Sequence, residues 1–268
     1  MDAVSETELR IDHLPQIEAI KIELEEPPDD GPLLAGPRRF KESDELPDEY
    51  RELLMKLIYN HAEILASEPY RNMIMGQWEV SRSEAPTPAD LVMMARFQYE
   101  ELNHGYIFSR ILEGLGVRFE HYELRQYLFE HPKQSWLDLA LHHFLASKVG
   151  VLQISEWIDS SYEPIARVAP SVLREERGHA GMGYRHLREY AARPSGRDEI
   201  QAALPEWWPM TLDMFGRTDS SRNRLYRTWG LKKHTNGQLR TAFIRDTVPQ
   251  LEALGLTIPD HVQGRRYL

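Results

Sequence analysis

Two copies of one four-residue word constrain this chain more than any other feature. Glu101-Leu102-Asn103-His104 and Glu176-Arg177-Gly178-His179 each place a glutamate three residues before a histidine. On a helix both side chains then leave one face within a turn. A single Glu-x-x-His arises often by chance and then marks a surface pair. Here both words fall at the midpoints of long helical patterns, among residues expected to face inward. Ionisable groups placed there cost several kcal/mol unless they are paired or bind metal.

The pattern around those words is helical from Pro47 onward. Tyr50, Leu53, Leu54, Leu57, Ile58 and Ala62 keep i, i+3, i+4 spacing, which predicts a first helix from about Asp48 to the mid-70s. Thr87-Pro88 opens a second as an N-cap followed by proline should, with Leu91, Met94, Phe97, Glu101, His104, Phe108 and Leu112 on one face and Gly114 to Gly116 at its end. A short segment near Tyr122–Glu130 leads to Ser135-Trp136-Leu137-Asp138, the expected cap of a third helix running to about Ser160. A fourth is expected from Pro170 to about Ala192, with Pro164 and Pro170 as punctuation. Gly196, Pro205, Pro209 and Gly216 divide the remainder into shorter helices, the last over Asn236–Leu254. No strand alternation stands out. The fold class read from this is all-α: a four-helix bundle with additional short C-terminal helices.

Composition narrows the chemistry. With no cysteine, disulfides, zinc–thiolate sites, iron–sulfur clusters and thiol nucleophiles are excluded. The net charge of −10 argues against a nucleic-acid partner. That charge belongs to the N-terminus, since residues 1–49 hold 15 acidic and 5 basic side chains. Residues 1–46 therefore read as an acidic, poorly ordered arm, and 47–268 as the metal-binding helical domain. A sharper reading of the arm is a strap anchored by Leu14, Ile17, Ile20 and Ile22. No signal peptide or membrane-spanning stretch is visible, so the expected location is the cytoplasm.

A metal ion resolves the cost of burying the two words. Ferritin-like di-iron and di-manganese bundles use Glu-x-x-His on two helices and one glutamate from each of the other two. The first helix offers Glu63 within His61-Ala62-Glu63-Ile64. Mixed carboxylate and imidazole donors suit iron or manganese better than redox-inert zinc.

Asn60-His61-Ala62-Glu63-Ile64, Glu100-Glu101-Leu102-Asn103-His104-Gly105 and Glu175-Glu176-Arg177-Gly178-His179 resemble the catalytic subunits of bacterial phenylacetyl-CoA epoxidases, di-iron multicomponent oxygenases of ferritin-like fold. Trp207-Trp208-Pro209, Met214-Phe215-Gly216, Thr247-Val248-Pro249-Gln250 and Leu256-Thr257-Ile258-Pro259-Asp260 extend the similarity over about Pro47 to Pro259. The resemblance implies a reaction in which two ferrous ions reduce O2 and one oxygen atom enters an aromatic ring carried as a coenzyme A thioester. It also implies that Glu63, Glu101, His104, Glu176 and His179 are the metal ligands, with Glu101 and Glu176 as the bridging, catalytic carboxylates. A structural partner subunit of the same fold, or a homo-oligomer, follows from it too. Electrons would come from a separate reductase, because no flavin or pyridine-nucleotide motif occurs here.

The third helix departs from that family. Where an acid is expected the chain reads His143-Phe144-Leu145-Ala146-Ser147-Lys148, so Ser147 stands in its place. His143, one turn earlier, is a candidate replacement ligand, and Lys148 is the next side chain to approach. A water-completed shell at Ser147, or one weak metal position, would equally accommodate the serine. Glu100 and Glu175 are further candidates for a supporting or replacement role. Other features take plainer readings. His142-His143 reads as a surface-plus-core pair, Met73, Met75, Met93 and Met94 as core filling or the wall of an apolar pocket, Trp207-Trp208 as packing, and Arg177 as a salt-bridge partner of Glu175 or of an acid on a neighbouring helix, or as a contact to an anionic substrate group. The departure keeps two further functions open: a di-metal oxygenase acting on a small non-CoA substrate in secondary metabolism, and a non-catalytic partner subunit with a partial metal site.

Overall fold

The computed structural model describes residues 25–36, 38–66, 68–117 and 127–267, with backbone alone at 60, 62–66, 68–69 and 127. The apolar stripe of the first helix, α1 (Asp48–Ala66), buries Tyr50, Leu53, Leu54, Leu57 and Ile58, as its spacing predicts. The expected continuation into the mid-70s is instead a separate helix, α2 (Glu68–Glu84). In α3 (Pro88–Gly114) the Thr87 hydroxyl accepts from the Asp90 N–H, proline occupies the first turn, and Gly116 at φ 79° closes the far end.

After the short α4 (Tyr127–Glu130), Ser135 and Asp138 form a reciprocal capping box that starts α5 (Trp136–Leu141). The expected third helix is then interrupted. His142–Ala146 is a π-helical turn, followed by α6 (Ser147–Ser155). A Cβ at Gly183 would lie 2.2 Å from the Phe144 backbone nitrogen, so this glycine lets the widened turn press directly against the next long helix.

That helix, α7 (Glu163–Ala191), begins seven residues before the expected Pro170. Pro164 sits in its first turn, where a missing N–H costs nothing, and Pro170 lies inside the helix with its own ring on an exposed face. Pro205 and Pro209 likewise fail to break α8 (Gly196–Asp213). Each costs about 3 kcal/mol in a helix interior, set against the burial of Ile200, Leu204, Trp207 and Trp208 along the same segment. Two shorter elements, α9 (Ser221–Thr228) and α10 (Asn236–Glu252), complete the chain, α10 starting at a Thr235–Gln238 capping box.

The chain is all-α. Four long segments, α1, α3, the α5–π–α6 run and α7, form the bundle of a ferritin-like fold, with α1 against α3, α7 against both α3 and the π-containing run, and α2 alongside α3. One core lies between α1, α3, α6 and α7 around Trp157, and a second joins the π turn to α8 and α10 around Trp207, Trp208 and Phe243. Among the described residues the only extended pairing is a single bridge, Phe40 to Tyr162, and no helix is long and apolar enough to cross a membrane.

Of the acidic segment 1–46, residues 1–24, including Leu14, Ile17, Ile20 and Ile22, lie outside the described residues. The following stretch is laid against the body. Arg227 pairs with Asp30, the Leu34 N–H donates to Thr228 O at 2.6 Å, and Phe40 is 8% exposed against Tyr50.

Candidate metal centre

The midpoints of α3 and α7 bring both words together inside the bundle. Glu101, His104 and Glu176 each offer a ligand atom, and these atoms lie within 4.8 Å of one another. His179 joins them through Nδ1, 3.2 Å from Glu101 Oε1, and His104 Nδ1 lies 3.6 Å from Glu176 Oε1.

The outer nitrogens are paired crosswise. His179 Nε2 meets Glu100 Oε2 at 2.8 Å, and His104 Nε2 meets Glu175 Oε2 at 2.7 Å. Each imidazole is thus held by the glutamate that immediately precedes the other helix's word. Neither carboxylate can donate, so each Nε2 carries the proton. Arg96 Nε, 2.6 Å from Glu100 Oε1, anchors one of the two pairs from outside.

With Nε2 protonated, a neutral imidazole turns the Nδ1 lone pair toward a carboxylate oxygen, and two lone pairs repel at such distances unless a cation lies between them. On His179 a proton can fill that role. Burial opposes charge on His179, but its hydrogen bonds to the Glu100 and Glu101 carboxylates and their charge push its pKa up to about 10. Burial and the nearby Glu101 charge push Glu176 up to about 7. Burial works the same way on Glu101, but His179 and His104 outweigh it and hold that carboxyl far below the usual range. Closely spaced carboxylates and inward-facing imidazole lone pairs are the donor set a divalent metal takes.

Supporting contacts fix the carboxylates. Tyr70 donates to Glu101 Oε2 at 3.1 Å, and the Ser147 hydroxyl hydrogen-bonds Glu176. A Cβ at Gly150 would sit 2.7 Å from Glu176 Oε2, so only glycine leaves room for that carboxylate where it lies.

The other expected residues are distributed unevenly. Ser147 faces the centre, whereas the Glu63 side chain lies outside the described residues. His143 packs on Phe97, with ring centroids 5.2 Å apart, and both its nitrogens are buried without partners. It lies beside His179 but outside the ligand cluster, because the π turn breaks the i, i+4 relation to Ser147. Lys148 is turned away entirely. Its ammonium pairs with Asp246 of α10 at 2.5 Å and covers the Phe144 ring, so it does not approach the metal donors.

Three plainer readings need correction. His142 and His143 are both buried, not one at the surface. Met75 is 58% exposed and fills no core. Among the described residues Arg177 makes no ion pair with Glu175, which is committed to His104, and its Nε is buried without a partner. Trp207 and Trp208 do pack as expected, at 1% and 0% exposure.

A cavity of about 670 Å3 reaches Glu101 and Glu176 and opens past Arg217 and Arg222. Leu57, Met73, Ile74 and Phe129 give it apolar wall, and Gln77, Gln153 and Lys232 add polar groups. The sequence reading missed Tyr70, Gly150, Gln153 and Lys232. Gly150 carried a usable signal as a glycine inside a helix beside expected ligands. The other three carried none.

A family model described as phenylacetic acid catabolic protein matches residues 33–267. The chain is also 29% identical over 241 residues to one subunit of the 1,2-phenylacetyl-CoA epoxidase of Escherichia coli (strain K12), an alignment covering 85% of this chain and 75% of that relative.

Proposed function

The chain belongs to the phenylacetic acid catabolic protein family, and from that premise we propose that it is the oxygen-activating subunit of a non-haem di-iron monooxygenase, of epoxidase or hydroxylase type, acting on an aromatic substrate. The observation that carries this reading is the crosswise pairing of His104 with Glu175 and of His179 with Glu100, which turns two imidazole lone pairs toward Glu101 and Glu176. The residues that would hold the metal are Glu63, Glu101, His104, Glu176 and His179, with Glu101 and Glu176 as the central carboxylates. Iron is the proposed metal and manganese the alternative. When bound in the ferrous state, the metals supply the reduction of O2, with electrons from a separate reductase.

The chain's own residues prepare that chemistry. Glu100 and Glu175 fix each imidazole's tautomer and ring angle, the usual work of groups behind a ligand. Tyr70 and Ser147 each hold one carboxylate in place. The apolar wall formed by Leu57, Met73, Ile74 and Phe129 seats an aromatic ring beside them and keeps water away. Family membership favours a coenzyme A thioester as the substrate form, and a same-fold structural subunit or a second copy as an assembly partner in the cytoplasm. A second reading, a small substrate without coenzyme A, is favoured by one observation, a buried ammonium in the cavity wall that forms no ion pair among the described residues. A purely structural role fits less well, because an unused cluster of buried acids and imidazoles destabilises a bundle core.

Metal analysis of the protein reconstituted with Fe2+ tests the reading. The parent should bind two ions and, with reductase and O2, oxygenate phenylacetyl-CoA or the corresponding free acid, while Glu101→Ala and Glu176→Ala lose metal and turnover. Two tightly bound ions and full activity in either variant would show that these residues are not the ligands.

A further inference from the structure

The ammonium in question belongs to Lys232, which is 8% exposed and lines the same cavity as Glu101 and Glu176. Its hydrogen-bond acceptor is the neutral side chain of Gln153, with Nζ to Oε1 at 2.6 Å, and among the described residues no carboxylate forms an ion pair with it. The acid that influences it, Glu156, is already committed. Glu156 Oε1 meets His234 Nδ1 at 2.6 Å, and Oε2 accepts from the backbone N–H groups of Lys233 at 2.8 Å and His234 at 2.7 Å. Those three bonds also pin the loop that carries Lys232. Burial pushes the Lys232 ammonium below its ordinary pKa, and Glu156 only partly offsets that. An ammonium has three donors, and one neutral acceptor leaves it short of both hydrogen bonds and charge. Proteins seldom keep a buried cation in that condition unless something arrives to complete it.

The position indicates what arrives. Gln153 lies three residues beyond Gly150 on α6, one turn along the wall, and Gly150 is the residue against which the Glu176 carboxylate rests. One turn is a rise of about 5 Å. The residue that holds the ammonium and the residue that seats Glu176 are therefore one turn apart on the same wall, and Lys232, Glu101 and Glu176 all line one cavity with Leu57, Met73, Ile74 and Phe129. Coenzyme A phosphates lie much farther from an acyl group than that span. We propose that Lys232, held by Gln153, is a carboxylate-binding subsite, which seats the carboxylate of a compact aromatic acid and directs its ring toward Glu101 and Glu176. This names the substrate class of the oxygenase site, and so rests on that reading for the chemistry but not for binding.

Calorimetry on the metal-free full-length protein tests it, with phenylacetate, its neutral isostere phenylacetamide, and phenylacetyl-CoA as probes. The parent should prefer the acid to the amide by at least about tenfold, the usual worth of a charge-assisted hydrogen bond. Lys232→Met should abolish that preference and raise the melting temperature, because it removes an uncompensated charge. Lys232→Arg should keep the preference. Equal binding of acid and amide by the parent would overturn the proposal, as would a preference surviving in Lys232→Met. Binding of the thioester alone, sensitive to Lys232, would also overturn it and move the ammonium to a carbonyl. Should Lys232→Met not fold, Gln153→Leu must weaken the preference for the acid, and an unchanged preference there rejects the subsite. Iron content separates the two readings. Lys232→Met should load iron like the parent, and a parent that binds no iron yet prefers the acid sinks the oxygenase reading alone.

Discussion

Replacing Gly150 by alanine measures how firmly the bundle holds Glu176. The added Cβ would stand 2.7 Å from Oε2, 2.9 Å from Cδ and 3.3 Å from Oε1 of that residue. The carboxylate has little room to yield, since the Ser147 hydroxyl and His104 flank it. Glycine to alanine in a helix interior is worth about 1 kcal/mol of stability. Overpacking a close contact costs about 1–3 kcal/mol, so the net should fall between neutrality and a loss of about 2 kcal/mol. Gly178, in the second Glu-x-x-His word, is the internal control, because a Cβ there meets nothing within 4 Å. Gly178→Ala should therefore gain the full helix term, about 1 kcal/mol. Urea denaturation of the metal-free proteins reads both values, and iron titration reads the displaced ligand, with Gly150→Ala binding about tenfold more weakly or worse. Equal stabilisation by the two changes, with unaltered iron binding, would mean that the Glu176 carboxylate moves freely and that the tight contact at Gly150 does not constrain the centre.

Other perturbations have equally definite outcomes. Glu175→Ala and Glu100→Ala should each lower metal affinity about 10–100-fold by releasing an imidazole, as read by competitive chelation. Under the proposed ligand set three carboxylates face two ferrous ions, so Ser147→Asp should tighten the weaker position and bring the stoichiometry toward two. His143→Ala should leave it unchanged, and loss of the second metal in that variant would make His143 a ligand after all. Phe40→Ala should cost about 3 kcal/mol in urea denaturation, because that ring is buried against Tyr50. Burial alone would push Glu156 up, but the His234 side chain and backbone N–H hold its carboxyl below the ordinary 4.5. Its contribution is complete above that value and is lost as pH falls through the lowered one, so as pH drops below 4.5 the parent should weaken more than Glu156→Gln does.

Much of the bundle is written locally in the chain. Thr87-Pro88, Ser135 with Asp138, and the i, i+4 stripe of Tyr50, Leu54 and Ile58 each signal their element within a few residues. Misjudged elements are those where tertiary packing overrode a local rule. Pro170, Pro205 and Pro209 stay inside helices whose buried faces outweigh the broken hydrogen bonds. The π turn at His142–Ala146 follows from how closely α7 approaches at Gly183, a contact between residues distant in sequence. At the centre, repetition of Glu-x-x-His was legible, while the partners were not. Nothing near Glu175 says that it serves His104 of another helix, and nothing near Lys148 names Asp246.

The crosswise bonds make the relative register of α3 and α7 self-checking. Each helix supplies the carboxylate that completes its neighbour's imidazole, so neither half of the site exists before both helices have docked. A slip of one turn, about 5 Å, would release both imidazoles at once and leave four ionisable groups stranded in the core. Misaligned bundles are thereby penalised at the one place where misalignment would matter to chemistry. For anyone transplanting this centre, the portable unit is the interlocked pair of helices, because a single Glu-Glu-x-x-His segment moved alone carries a histidine without the glutamate that aims it and a leading glutamate with no histidine to aim.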